Sequence, residues 1–350
     1  MTPWERFALG ARGEETDAVP VALIVDSPWL PAYAGIGTLE YYLHDDAWLR
    51  VNLGLLQRFP DVAWIPGFWM EYGMAAEPSA FGARILWHRD QPPSIEPVHG
   101  GLAALAELEP ADPQEHGLMP LVLERYAAAE RRLLPEGLGI KMVAARGPFA
   151  IAAWLLGMSD FLVALKSEPE AARRLLEVVT RTVIAWLHAQ LDVLRAPEGI
   201  LLLDDIVGLL SPRLFDQFAR PSLTRIFDEF RGLIRIYHND TPCPHLLGRL
   251  AEVGYEVFNF SHLMDIAEVQ AKMPDTVLMG NVPPLDVMAR GTPDQVIACA
   301  QESFHKTGGR RWILSAGGGV SPGTPAENID ALVRAVRHGY AGNKSSGEEK

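Results

Sequence analysis

Short apolar runs and amphipathic stretches alternate through most of the chain. Eight runs read as strands: Val19–Val25, Val62–Ile65, Ile140–Ala144, Ile200–Leu203, Ile234–Tyr237, Val257–Phe260, Val277–Met279 and Trp312–Ser315. Each is continuous rather than alternating, the pattern of strands buried on both faces. Each gives way to a polar or Gly/Pro-rich break, and most breaks lead into a helical period. Leu175, Val179, Val183, Leu187 and Leu191 recur at every fourth position and form the stripe of one long helix. Ser167-Glu168-Pro169-Glu170 reads as its capping box. Thr292-Pro293-Asp294-Gln295, Thr324-Pro325-Ala326-Glu327 and Thr2-Pro3-Trp4-Glu5 open helices in the same way, with Pro at the first helical position.

Strand–helix units in this order predict an α/β fold, a single (β/α)8 TIM barrel with an N-terminal helical extension. A doubly wound sheet is the competing architecture, but no Gly-x-Gly-x-x-Gly follows the first strand. Residues 66–136 carry extra material, including Pro66-Gly67-Phe68-Trp69-Met70-Glu71 and the Pro-rich Asp90–Pro97. Such long βα insertions commonly build a substrate pocket. Gly342–Lys350 is polar and Gly/Ser-rich and reads as a disordered tail, which leaves 1–341 as one domain.

Composition narrows the partners. Lys and Arg total 31 against 44 Asp and Glu, a formal charge of −13. A nucleic-acid partner needs basic stripes that this balance disfavours. The cysteines are Cys243 and Cys299, too few for a disulfide framework or a four-thiolate zinc site. No apolar run approaches the roughly 20 residues of a membrane span, and Met1–Arg6 has no signal-peptide core. A cytoplasmic protein with neither membrane nor nucleic acid as partner is expected.

In such barrels the chemistry sits at the C-terminal ends of the strands. The first strand ends in Asp26-Ser27-Pro28-Trp29 and the second leads to Trp69, Glu71 and Tyr72. The third leads to Arg146-Gly147-Pro148-Phe149, the fourth to Asp204-Asp205, and the fifth to His238-Asn239-Asp240. Ser261, His262 and Asp265 follow the sixth, Gly280-Asn281 ends the seventh, and Gly317-Gly318-Gly319 follows the eighth. Adjacent residues of a strand point to opposite faces, so one of Asp204 and Asp205 faces the mouth, and Asp205 is favoured. His238, Asp240, Asp205 and Glu71 are the catalytic candidates. Against them stand a structural histidine, a helix cap at Asp240, a brace at the Asp pair and a solvated loop acid at Glu71. Trp69, Arg146, Asn281, Phe149 and Gly317 are the substrate-binding candidates. Arg146 would pin a carboxylate or brace Asp204, and Asn281 would bind substrate or form a turn. Gly317 would admit a ligand close to the backbone. Trp29, Trp64, Trp69 and Phe149 would wall a cavity or pack a core.

Several segments resemble the uroporphyrinogen decarboxylase superfamily, which also holds corrinoid-dependent methyltransferases and demethylases. These are Glu5-Arg6-Phe7 with Gly13 and Val19-Pro20-Val21, then Phe81-Gly82-Ala83 and Gly147-Pro148-Phe149. Gly280-Asn281-Val282 with Gly291-Thr292-Pro293 follows, and then Ser315–Val320 with Thr324–Asn328, the most specific pair. The match is collinear over roughly residues 2–340. The resemblance implies a (β/α)8 barrel.

The resemblance also sets expectations for chemistry. The decarboxylases grip a porphyrinogen of eight carboxylates through an Arg-rich segment after the first strand. Here that segment, Asp26–Pro31, has no Arg, and guanidinium is the natural partner of carboxylate. The thiol methyltransferases hold zinc through His-x-Cys after the fifth strand and a Cys after the eighth. Here His238 is kept, Asp240 replaces the first Cys and Gly318 the second. A His238/Asp240 site would suit zinc with a nitrogen–oxygen shell or a harder cation. Cys243, near the next helix start, is the one thiolate substitute, because a thiol pKa can fall there. The preferred expectation is a methyltransferase of the demethylase type. It would move a methyl group from a small methoxylated or methylated donor to a corrinoid (cobalamin-type cofactor) on a separate partner protein. A carboxy-lyase acting on a porphyrinogen or smaller acid and a non-catalytic binding barrel are the alternatives, and a homodimer is compatible with the family.

Overall fold

The computed structural model describes residues 1–343. Its strands are β1 (Ala22–Ile24), β2 (Ala63–Ile65), β3 (Arg84–Leu86), β4 (Ser94–Glu96), β5 (Met142–Arg146), β6 (Gly199–Leu203), β7 (Ile234–Asn239), β8 (Val257–Phe260), β9 (Val277–Val282) and β10 (Trp312–Ala316). Strands β5 to β10 form one parallel sheet in sequence order. β1 pairs in parallel with β2. The bridges Val21–Leu314 and Ile24–Gly319 tie this pair to β10. The eight parallel strands make the (β/α)8 barrel that the apolar runs predict.

Among the described residues no ladder pairs β2 with β5. Side chains span that seam instead. Glu77 accepts from the backbone N–H of Arg146 at 2.9 Å, and Arg146 Nη2 donates to the Gly73 carbonyl at 3.2 Å. The insertion after β2 contains the antiparallel hairpin β3–β4. Its three-residue strands are too short to leave a readable alternation, so the sequence gives no sign of it.

The long helix spans Pro169–Asp192, and Leu175, Val179, Val183 and Leu187 are buried along it. The Ser167 capping box does not form. The preceding helix, Met158–Ser167, runs through that serine, whose hydroxyl turns back to the Val163 carbonyl. The boxes at Thr2 and Thr292 do form. Thr324 donates to the Ser321 carbonyl at 2.8 Å, and the last helix begins at Ala326. That helix carries Gly342 and Asn343, so the expected tail loses its first two residues; its remainder lies outside the described residues. Among the described residues no single helix is long and apolar enough to cross a membrane.

Candidate active site

Strand β7 delivers His238 at its C-terminal end, in register with Leu203 of β6 and Asn259 of β8. His238 is buried, and its Nδ1 lies 2.7 Å from Asn259 Oδ1. The amide nitrogen of Asn259 donates to the carbonyls of Met279 at 2.8 Å and Ala316 at 3.1 Å. The other ring nitrogen, Nε2, faces Asp205 Oδ1 at 3.5 Å.

The two aspartates after β6 take opposite directions. Asp204 is fully buried and accepts the backbone N–H groups of Phe149 and Ala150 at 3.0 and 2.8 Å. It thereby satisfies the N-terminus of the helix Pro148–Leu156. Burial pushes its carboxyl up to about 8, against the pull of those two amides. Asp205 turns to the mouth, half-buried, and its Oδ1 accepts the backbone N–H of Asp240 at 2.9 Å. Arg146 therefore does not brace Asp204; backbone amides do.

Asp240 stands at the rim. Desolvation of its carboxyl and the charge of Asp205 raise its pKa, and His238 offsets part of that rise. Asp205, His238 and Asp240 each offer a ligand atom, and these atoms lie within 4.8 Å of one another. The Nε2–Oδ1 spacing of 3.5 Å is longer than a good N–H···O bond of roughly 2.7–3.2 Å. It suits two ligands of one zinc-sized ion, which at about 2.0–2.2 Å each stand roughly 3.4 Å apart in a tetrahedral shell. A β-carbon at Gly318 would lie 3.4 Å from Asp240 Oδ2, so the loop after the eighth barrel strand runs against Asp240.

The facing wall comes from β1 and the segment after β2. It contains Asp26, which the sequence reading passes over although it ends the first strand. Burial and the neighbouring Glu71 push the Asp26 carboxyl up to about 7, while Arg146 and His238 draw it down. Asp26 follows the end of β1 and His238 lies at the end of β7, both on the C-terminal side of the barrel. Glu71 is buried and built in: it accepts the backbone N–H groups of Ser27 and Gly73 and lies within reach of the Tyr42 hydroxyl. It is a brace for the end of β1 and not a solvated loop acid. The Arg146 guanidinium stacks on Trp69, 5.1 Å from the ring centroid.

Other expected contacts fall elsewhere. Phe149 is wholly buried and packs edge-on against Phe161, so it belongs to the helix layer outside the barrel and not to the substrate wall. Trp29 stacks near Trp64, and its Nε1 donates to the Thr324 carbonyl. The four aromatics therefore do not enclose one cavity. Gly317 is needed for packing, since a β-carbon there would stand 2.6 Å from the His262 nitrogen. The Asn281 amide donates to the Met264 carbonyl at 2.8 Å. Cys243 is fully buried beside Met264, and burial pushes its thiol up to about 12. It lies outside the Asp205–His238–Asp240 group, so the expected lowered thiol pKa and thiolate ligand are not realised there. A cavity of 820 Å³ opens at the opposite, N-terminal end, lined by Gly13, Gln270, Arg310, Arg311 and Trp312.

The family described as "Uroporphyrinogen decarboxylase (URO-D)" matches residues 2–339. Among curated relatives, a uroporphyrinogen decarboxylase of Synechococcus sp. (strain CC9605) is 29% identical over 257 residues, 69% of this chain and 70% of that protein. One from Synechococcus sp. (strain CC9902) is 30% identical over 242 residues, 65% of each. Among solved structures, a methyltransferase from Methanosarcina mazei superposes with a TM-score of 0.83 at 21% identity, covering 97% of this chain and 99% of that one. A B12-independent methionine synthase from Shewanella sp. W3-18-1 gives 0.63 at 10% identity, covering 93% and 99%. At these identities the two structures show a shared fold.

Proposed function

This chain belongs to the uroporphyrinogen decarboxylase family, and within it we propose a methyltransferase of the corrinoid-dependent demethylase type. The observation that carries this reading is the charge of the cup. Asp205 and Asp240 stand beside His238, Glu71 adds a carboxylate at the end of β1, and Arg146 is engaged with Trp69 and the Gly73 carbonyl. A substrate with eight carboxylates would be repelled there. A small neutral or cationic methyl donor would not.

The methyl acceptor would be the cobalt of a corrinoid on a partner protein docking over the barrel mouth. The chain's own residues must deal with the leaving heteroatom, which departs with an electron pair and needs a proton or a positive charge. Asp26, poised near neutrality, can give that proton. His238 Nε2 with the carboxylates of Asp205 and Asp240 can hold a proton or a divalent cation, and their spacing fits the latter. Such a cation, zinc in a nitrogen–oxygen shell, would supply Lewis acidity toward the heteroatom. Trp69 and the half-buried Arg146, stacked on one another, would line the approach and limit water.

The second reading is a carboxy-lyase, favoured by the names of the curated relatives. A protonated Asp26 could serve it equally, by protonating a carbanion. Methyl transfer to a Co(I) corrinoid, followed by absorbance across a panel of methoxylated and N-methylated donors, separates the two. Transfer lost in His238→Ala supports the proposal. Absence of transfer from every donor, with carbon dioxide released from an acid substrate, overturns it.

A further inference from the structure

Asn259 lies in the middle of β8, in the run Val257-Phe258-Asn259-Phe260, where every residue is buried. A buried amide among aromatic neighbours costs stability unless its polar atoms are matched. Here they are matched in one sense only. Both amide hydrogens are claimed by backbone carbonyls, Met279 at 2.8 Å and Ala316 at 3.1 Å. Turning the amide over would press its oxygen against two carbonyl oxygens, so the orientation is fixed by β9 and β10. The oxygen that remains faces His238 Nδ1 at 2.7 Å. An acceptor at that position requires a hydrogen on Nδ1.

We infer that Asn259 is a positioning residue that holds His238 in the Nδ1–H tautomer, so that the imidazole presents a bare Nε2 to Asp205, Asp240 and whatever occupies the cup. The consequence is a choice of chemistry. A bare Nε2 accepts a proton or binds a cation, and it cannot start as the proton donor. The spacing to Asp205 agrees: an Nε2–H facing a carboxylate would draw it inside about 3.2 Å, whereas the separation is 3.5 Å. Any proton given to a leaving group must then come from a group other than His238. A partner on the far side of a metal-binding or basic histidine commonly fixes the ring in this way. This inference deepens the proposed function by assigning the role of His238 within it, but its test needs neither donor nor corrinoid.

Nitrogen NMR of the full chain labelled with ¹⁵N-histidine reads the tautomer directly, with His238 assigned by difference against His238→Gln. The wild type is expected to show a protonated Nδ1 and an unprotonated Nε2 at neutral pH. Asn259→Ala should give a mixture of tautomers and weaken zinc binding about 10–100-fold. Asn259→Asp keeps an acceptor for Nδ1–H while losing the two donors, so it should restore the tautomer even where stability falls. A purely structural asparagine would leave the tautomer unchanged in all three proteins. An Nε2–H signal in the wild type, or an unaltered tautomer in Asn259→Ala, would overturn the inference. A confirmed tautomer with no methyl transfer from any donor would count against the methyltransferase reading alone.

Discussion

Gly147 and Asp204 occupy one another's space: a β-carbon added to Gly147 would stand 2.3 Å from Asp204 Oδ2. The contact lets the buried carboxylate reach the amides of Phe149 and Ala150. A methyl group at this glycine must either displace the carboxylate or shift the start of the helix. Gly147→Ala should therefore destabilise the protein by about 1–3 kcal/mol, read as a lowered urea midpoint. An unchanged midpoint would mean that the capping contact is not needed.

Asp26 and Asp204 keep protons in the folded chain that an unfolded chain releases near pH 4. The folded state thus binds more protons between about pH 4 and the raised values near 7 and 8, and stability falls as pH rises through that window. Asp26→Asn removes one of the two contributions. The fall between pH 4.5 and 7 should become shallower by up to about 1.4 kcal/mol per pH unit, as measured by urea unfolding at several pH values. A slope identical to wild type would show that Asp26 ionises normally.

Zinc at about a hundred times its dissociation constant should raise stability by about 2.7 kcal/mol, because the three ligand atoms meet only in the folded chain. His238→Ala should abolish the gain and Asp240→Asn should reduce it, read as the thermal midpoint and as bound metal per chain. Cys243→Ser should leave zinc binding unchanged, since that thiol is buried away from the group. Loss of binding in the Cys243 variant alone would contradict the assignment.

Phe149→Ala should cost about 3–5 kcal/mol of stability, the penalty of a cavity in a packed layer. A variant that folds normally but loses donor affinity would return Phe149 to the substrate wall.

The barrel was legible in the sequence because strands buried on both faces leave continuous apolar runs, and each ended where the chain turned polar. The ends were less legible. β5 and β9 continue to Arg146 and Val282, since backbone pairing does not stop when a side chain becomes polar. Alternation separated Asp204 from Asp205, and the loop after β7 brought His238 and Asp240 together. Glu71 and Phe149 misled for opposite reasons. The first looks solvated but is held by the amides of Ser27 and Gly73; the second follows a strand end, yet the helix turns it outward. Asp26 stood in plain view at a strand end, but its importance depends on Glu71, 45 residues later in the chain. Asn259 gave one signal only, a polar residue inside an apolar run, and its partners come from three other strands.

The most direct measurement offers one preparation of the protein two tasks side by side: demethylation of a methoxylated or N-methylated donor with a Co(I) corrinoid, and decarboxylation of uroporphyrinogen. The acidic cup predicts methyl transfer that vanishes in His238→Ala, with the porphyrinogen recovered intact. Stepwise loss of carboxylates from the porphyrinogen, with the donors untouched, would contradict it.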